Sequence, residues 1–423
     1  MAPTGVFSST TLESITSLDF IVEVMSVPIE AHGFPPLASA AKIAPSRIRA
    51  IAELAEQHPG TLRLFYGEDT LPTPDFIKEA GRRAIADSFT FYTPNAGYPA
   101  LREAIASQTA KLHDVEVDPS RDVIVTASGM VAMVLAIQAT VGPGDSVVVV
   151  TPLWPNIAAA VRVAGAEAIE VPLSFAAHGY SLDFEALEAA IKPGTRMIAL
   201  ASPSNPTGWT ASAEDWRRLL ELCERHDLWL LADGVYERLV EGGKVAPSPL
   251  SEQGGPERTI VAQSFSKAYR MTGWRVGYAI APPPIAKAMP HLQEFIVSHA
   301  AGVAQEAARI ALRDGEPFVA ESQARYAKHR RIAVERLSKV PGVTTPEASG
   351  AFYVFPRLQG LTDSFDFCSR MVRDRNVGLA PGSAFGNGGE GHVRICFAVD
   401  EATLTEALDR FEAGWLEYRR NLI

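Results

Sequence analysis

Cysteine is scarce in this chain: Cys223, Cys368 and Cys396 are the three present among 423 residues. An odd, sparse count with no C-x-x-C spacing excludes a disulfide framework and a zinc knuckle, and fits reduced thiols in a cytoplasmic protein. Positive charge is also short. The chain carries 39 Lys and Arg against 49 Asp and Glu, a net charge of −10. That balance repels nucleic acid and anionic lipid, so neither is expected as a partner; a single anion-binding pocket needs only two or three arginines. Residues 1–30 hold no Lys or Arg, and Glu23 breaks the apolar stretch 20–28, so the basic start of a secretory signal is missing. No uninterrupted apolar run approaches the length of a membrane span. The N-P-T triplet at Asn205 has proline where a glycosylation acceptor cannot carry it.

The remaining composition, 47% hydrophobic and 21% charged, is that of a globular protein. The chain is too long for one small core, so two domains or a large α/β body with a smaller lobe are expected. Residues 1–20 are Ser/Thr-rich without periodicity and read as a disordered lead-in. Prolines break up 21–45, and Ser46 opens an amphipathic helix through Ala55. From about residue 60 the pattern alternates. Strands are predicted at 123–126, 146–151, 196–201, 228–232, 260–263 and 276–280, with helices at 129–140, 156–164, 182–191 and 213–226 between them. Such alternation implies βαβ crossovers and a doubly wound, parallel sheet. Residues 284–340 read as mostly helical, with one long helix at 318–339. Strands at 351–355, 377–380 and 392–397 and a helix at 401–418 follow. The expected division is a large domain over 60–300 and a smaller α+β domain from 21–59 with 301–423.

Most chemistry-bearing residues fall at the carboxyl ends of the predicted strands, where open α/β sheets bind ligands. Lys267 stands in S-F-S-K-A-Y-R-M-T-G-W-R, behind the hydroxyls of Ser264 and Ser266 and ahead of Arg275. An amine forms a Schiff base with an aldehyde, and arginine with hydroxyls holds a phosphate. Pyridoxal 5′-phosphate has both groups. Ser128-Gly129-Met130 ends one strand and opens a helix, whose free backbone N–H groups suit a phosphate. Trp154 offers a flat ring to stack on a pyridine, although a rim tryptophan would look the same. Asn205, in S-N-P-T-G, offers an amide. Asp233 ends a strand, where a buried carboxylate would keep a pyridine nitrogen protonated, as a helix N-cap would not require. Tyr236 follows three residues later. Arg394 lies inside an apolar strand, where a charge needs a partner, either a substrate carboxylate or an internal acid.

The order of these strings resembles the class I/II aminotransferases, aspartate-aminotransferase-like enzymes of PLP fold type I. The matching strings are Tyr66-Gly67-Glu68, Tyr92-x4-Gly97, Pro152-Leu153-Trp154-Pro155-Asn156, Asn205-Pro206-Thr207-Gly208, Asp233-x2-Tyr236, Ser264-x2-Lys267, Met271-Thr272-Gly273-Trp274-Arg275, Ser349-Gly350-Ala351-Phe352-Tyr353 and Val393-Arg394. They span about residues 40–415. The resemblance implies a seven-stranded, mostly parallel sheet, a homodimer, and pyridoxal 5′-phosphate held by Lys267. It further implies that Tyr92 reaches the phosphate of the partner subunit's cofactor, that Ser264 and Arg275 hold the phosphate, and that Gly67 offers its backbone to the substrate carboxylate. The chain departs from the family pattern at Gly234, where glutamate is frequent, and at Met130, where some acidic-substrate relatives carry lysine.

The reaction expected is transamination. Arg394 and Asn205 fix the α-carboxylate of an L-amino acid, Lys267 moves the α-proton, and a 2-oxo acid takes the amino group in a second half-reaction. A neutral or aromatic donor is expected, because no second cation is evident beyond Arg394. The resemblance implies that 297–302 is where other relatives carry an arginine for acidic side chains, and none lies there. Arg270, close to Lys267, is the cation that would oppose this. A β-eliminating C–S lyase or another amino-acid-modifying enzyme would use the same residues. No metal site is expected, and a DNA-binding regulator built on this fold lacks room for its extra domain.

Overall fold

The computed structural model describes residues 43–176, 179–243 and 245–420. The disordered lead-in expected over 1–20, and the part of the small domain placed on 21–42, lie outside the described residues. The centre of the fold is a seven-stranded sheet made of β1 (Val123–Thr126), β2 (Ser146–Thr151), β3 (Glu167–Pro172), β4 (Thr195–Ala201), β5 (Trp229–Asp233), β6 (Thr259–Ser264) and β7 (Gly277–Ile280). Its strand order is β1-β7-β6-β5-β4-β2-β3. Only β7 runs antiparallel to its neighbours; the other pairings are parallel.

Six of these strands match the expected ones to within a residue or two. Their Val, Ile, Leu and Ala runs are buried on both faces. Val148, Ile198, Leu230 and Val261 join one apolar core, while Val147, Val149, Met197, Leu231 and Ile260 join the other. Strands buried on both faces read as continuous apolar runs, which is why they are visible in sequence. The seventh, β3, was not expected. It reads E-A-I-E-V-P, with charge at the edge and a terminal proline, and it lies at the end of the sheet. Edge strands are blunted in this way, at the expense of the strand signal.

Helix α1 (Arg47–Glu56) begins where expected, with the Ser46 side chain accepting the Arg49 N–H. Helices α2 (Gly129–Thr140), α3 (Asn156–Val163) and α4 (Ala213–Arg225) follow β1, β2 and β4. A capping box of Ser212 and Asp215 starts α4. Beyond the sheet, α5 (Glu316–Leu337) is the long helix and α6 (Glu401–Arg420) closes the described chain. A three-stranded antiparallel sheet contains β8 (Tyr353–Val354), β9 (Ala380–Pro381) and, between them, β10 (Val393–Cys396). The strand expected at 377–380 is two short pieces, because Val377–Gly378 pairs in parallel with Leu62–Arg63 instead. Among the described residues no helix is long and apolar enough to cross a membrane.

Candidate active site

The carboxyl ends of β1, β2, β4, β5 and β6 point to one side of the sheet, where a cavity of about 730 Å³ opens. Every residue given a catalytic, cofactor-binding or substrate-binding role from the sequence lines it except Tyr92. Parallel strands place their carboxyl ends on the same edge. Residues far apart in sequence, such as Asp233 at the last position of β5 and Lys267 just past β6, are thereby brought together.

Lys267 sits in a four-residue helix, Phe265–Ala268, capped by Ser264, whose side chain accepts the Ser266 N–H at 3.1 Å. Its Nζ donates to the backbone carbonyl of Gly67. Burial pushes the Lys267 amine down to about 8, which makes the neutral, nucleophilic form accessible near neutrality. Asp233 is buried, and burial pushes its carboxyl up to about 6 against the opposing Val235 N–H and Lys267 charge. Its one hydrogen bond among the described residues comes from that Val235 N–H at 3.2 Å. No helix follows β5, so Asp233 caps none. A Cβ on Gly234 would crowd the Gln263 amide, at 2.7 Å from Nε2, so Gln263 fills the space of the missing side chain.

Arg394 lies on the central strand β10 and is 2% exposed. It donates from Nη1 to Asn205 Oδ1 at 2.7 Å and from Nη2 to the Phe65 carbonyl. Its guanidinium stacks between the rings of Tyr353 and Phe385, 4.5 and 5.0 Å from their centroids. No carboxylate pairs with it among the described residues, and its Nε is buried without a partner. The internal acid that would have explained Arg394 structurally is therefore not present there.

The phosphate end has matching features. Ser128 caps α2 by accepting the Val131 N–H at 3.1 Å. Gly129 leaves the approach open: a Cβ there would come within 3.0 Å of the Ser264 Cβ and 3.2 Å of the Gln263 carbonyl. Arg275 is exposed at the rim, donating to the Thr272 carbonyl at 2.9 Å. Trp154, half-buried, and Met130 form a wall shared with a second, mostly apolar cavity of about 560 Å³. These features fit pyridoxal 5′-phosphate. The buried Asp233, without an ion pair among the described residues, suits a cationic ring nitrogen, the open helix N-terminus suits a phosphate, and Lys267 supplies the amine.

Arg270 lies outside this cavity. It is ion-paired with Asp69 at 2.9 Å and lies over the Phe318 ring, and Asp69 also takes Arg325 and the Tyr326 hydroxyl. The loop 386–391 is tied down, with the Asn387 N–H donating to Glu170 Oε2 at 2.9 Å. Two residues escaped the sequence reading. Arg49, on the first turn of α1, lines the cavity as an exposed cation. Its position one turn past the Ser46 cap was the available signal. Tyr353 was visible in a motif without a role, and its hydroxyl lies 2.6 Å from that of Tyr236.

Tyr92 is 91% exposed and packs edge-on against His299, away from the cavity of its own protomer. Phe91, Phe295, Ile296 and Val297 are exposed in the same two segments. The loop is held from behind by Gln305, which donates to Thr93 Oγ1 and the Ala300 carbonyl and accepts the Tyr98 N–H.

Residues 63–411 match the family described as aminotransferase class I and II. The chain is 36% identical to an aspartate aminotransferase of Pyrococcus horikoshii over 87% of its own length and 94% of the relative's. It is 35% identical to aromatic-amino-acid aminotransferase 2 of Thermococcus litoralis, over 87% of this chain and 95% of that one. Among solved structures, the aspartate aminotransferase of Rhizobium meliloti superposes with a TM-score of 0.84 at 33% identity, covering 90% of this chain and 99% of the other.

Proposed function

The chain belongs to the class I and II aminotransferases, pyridoxal 5′-phosphate-dependent enzymes that pass an amino group from an amino acid to a 2-oxo acid, and on that premise we propose that its donor is an L-amino acid with a neutral or aromatic side chain. The observation that carries this reading is the wall formed by Met130 and Trp154, which the reaction cavity shares with the apolar space of about 560 Å³ beside it. Apolar walls favour apolar substrate groups; of the two arginines that also line that space, Arg162 is ion-paired with Glu170 at 2.9 Å and Arg47 donates to Ser383 Oγ at 2.9 Å. Arg270, spent on Asp69, does not oppose it.

The family resemblance and the cavity lining support the following roles. Pyridoxal 5′-phosphate, when bound, supplies the electron sink for the substrate α-carbon. Lys267 would hold the cofactor and would take the substrate α-proton and return it as base and acid. Asp233 would keep the ring nitrogen protonated through charge pairing in a buried setting. Asn205 and Tyr236 would bond the ring oxygen, and Trp154 would cover the ring. The backbone N–H groups at Ser128, Gly129 and Met130 would hold the phosphate with Ser264, Ser266 and Arg275. Arg394, Asn205 and the Gly67 backbone hold the α-carboxylate, with the buried Arg394 Nε as an available donor.

The reading includes a homodimer in which Tyr92 serves the partner's site, supported by the exposed aromatic and apolar side chains around it. It also includes a cytoplasmic location, and a division into a large domain over 60–300 and a small one from 21–59 with 301–423. A second reading, an acidic donor, is favoured by Arg49, which lines the cavity with no ion pair among the described residues. Steady-state kcat/KM over leucine, methionine, phenylalanine, tyrosine, aspartate and glutamate tests the two. The neutral reading expects the apolar donors to lead by 10-fold or so, the weight of about 1.4 kcal/mol of side-chain burial; a lead for aspartate or glutamate that disappears in Arg49→Met establishes the second.

A further inference from the structure

We propose that Tyr353 is a positioning residue for the reaction: its hydroxyl donates to that of Tyr236 and turns the Tyr236 proton toward the cofactor, while its ring carries Arg394. The inference rests on the cofactor-side role of Tyr236 given above. Both hydroxyls are buried and lie 2.6 Å apart, and each is the other's one hydrogen-bond partner among the described residues.

With two hydroxyls and one contact, one proton lies between them and the other is directed elsewhere. Tyr236 lines the reaction cavity and Tyr353 does not. If Tyr353 donates, the free Tyr236 proton points where the ring oxygen is to be held. If Tyr236 donated instead, the Tyr353 proton would be left in a dry pocket without an acceptor, a costly arrangement. Burial raises both phenols above their ordinary range, so both stay protonated through neutral pH.

The neighbours hold this geometry. The Tyr353 ring packs against Phe352 at 4.8 Å and against Tyr236 at 5.6 Å. The Arg394 guanidinium lies 4.5 Å above the ring centroid, within the range of a cation–π contact. Gly67, whose carbonyl accepts Lys267, is a glycine in contact with this hydroxyl: a Cβ there would collide with Tyr353 Oη. Tyr353 thus touches the supports of the lysine, the carboxylate-binding arginine and the ring-oxygen tyrosine. A hydrogen bond that itself receives a donor is polarised and stronger, so Tyr236 should lose donor strength when Tyr353 loses its hydroxyl.

The test is Tyr353→Phe, Tyr236→Phe and the double variant, each loaded with cofactor and titrated by absorption over pH. A donor to the ring oxygen withdraws electron density and makes the nearby imine nitrogen less basic, so its loss raises the titration midpoint. Tyr236→Phe should raise the midpoint most. Tyr353→Phe should raise it in the same direction by a smaller amount, and the double variant should match Tyr236→Phe alone. The kcat/KM of Tyr353→Phe should fall about 2- to 12-fold, the weight of one hydrogen bond. An unchanged midpoint in Tyr353→Phe, or additive shifts in the double variant, overturns the proposal. If Tyr236→Phe itself leaves the midpoint unmoved, it is the role of Tyr236 that fails. A melting curve and cofactor content for each variant separate these results from misfolding. A variant of Tyr353 that fails to hold cofactor is replaced by Tyr353→His, which restores a donor and should return the midpoint toward wild type; no return overturns the proposal.

Discussion

Arg394 Nη1 and Asn205 Oδ1 are joined by a 2.7 Å hydrogen bond between residues 189 positions apart. The bond links β10 of the three-stranded sheet to the loop that follows β4 of the large one. It holds the guanidinium fork in place, where under the proposed function a substrate carboxylate would meet it, and among the described residues the Asn205 amide nitrogen has no hydrogen-bond partner.

Removing that fork should be costly. In Arg394→Ala, kcat/KM should fall by about 30-fold or more, since losing one partner of a buried charge-assisted pair costs about 2–5 kcal/mol. Arg394→Lys should recover only part of it, because an ammonium lacks the planar fork. Steady-state assays check this, and the cofactor absorption of both variants should remain that of wild type.

Lys267 makes a covalent prediction. Borohydride treatment of the loaded protein followed by peptide mapping should place the label at position 267, and Lys267→Ala should take none. With its amine pushed down to about 8, the rate at which cofactor-free protein regains colour should climb through pH 8. A free lysine would show that rise about two units higher, near 10.4.

Asp233 links pH to stability in the cofactor-free protein. Its folded-state value of about 6 lies above the ordinary 3.8. The folded state therefore holds the proton more tightly, and stability from this group is full below pH 4 and lost as pH rises to 6. The loss is up to about 3 kcal/mol for a shift of this size. Melting curves of wild type and Asp233→Asn should diverge across pH 4–6, with the wild type losing ground at the higher pH. Loading with cofactor should reverse the order at pH 7, because the ring nitrogen then compensates the carboxylate.

Tyr92 yields a complementation test. Tyr92→Ala and Lys267→Ala should each be nearly inactive. In a randomly reassociated twofold-symmetric mixture of the two, about a quarter of the sites carry both native residues, so about a quarter of wild-type activity should appear. Additive, near-zero activity would place Tyr92 in its own protomer's site or in none.

Much of this protein was legible in its sequence because buried strands announce themselves. The runs V-I-V-T, S-V-V-V-V-T and L-W-L-L-A needed no partner to be recognised, since burial on both faces demands an unbroken apolar run. The resemblance of the Lys267, Asp233 and Asn205 strings likewise identified the cofactor. Edge strand β3 escaped, because Val171 is the one buried residue of its six and its pattern is that of a loop.

The order of motifs and the chemistry they suit were therefore determined by the chain alone, since they depend on local residue types and on spacing. Which charges are available was decided only in three dimensions. Arg270, three residues from Lys267, is taken by Asp69, while Arg49, more than two hundred residues away in sequence, reaches the cavity wall. The partnership of Tyr236 with Tyr353, and the absence of an acid beside Arg394 among the described residues, were decided there too. A side chain's charge is written in sequence, but whether it is neutralised depends on which distant element folds against it.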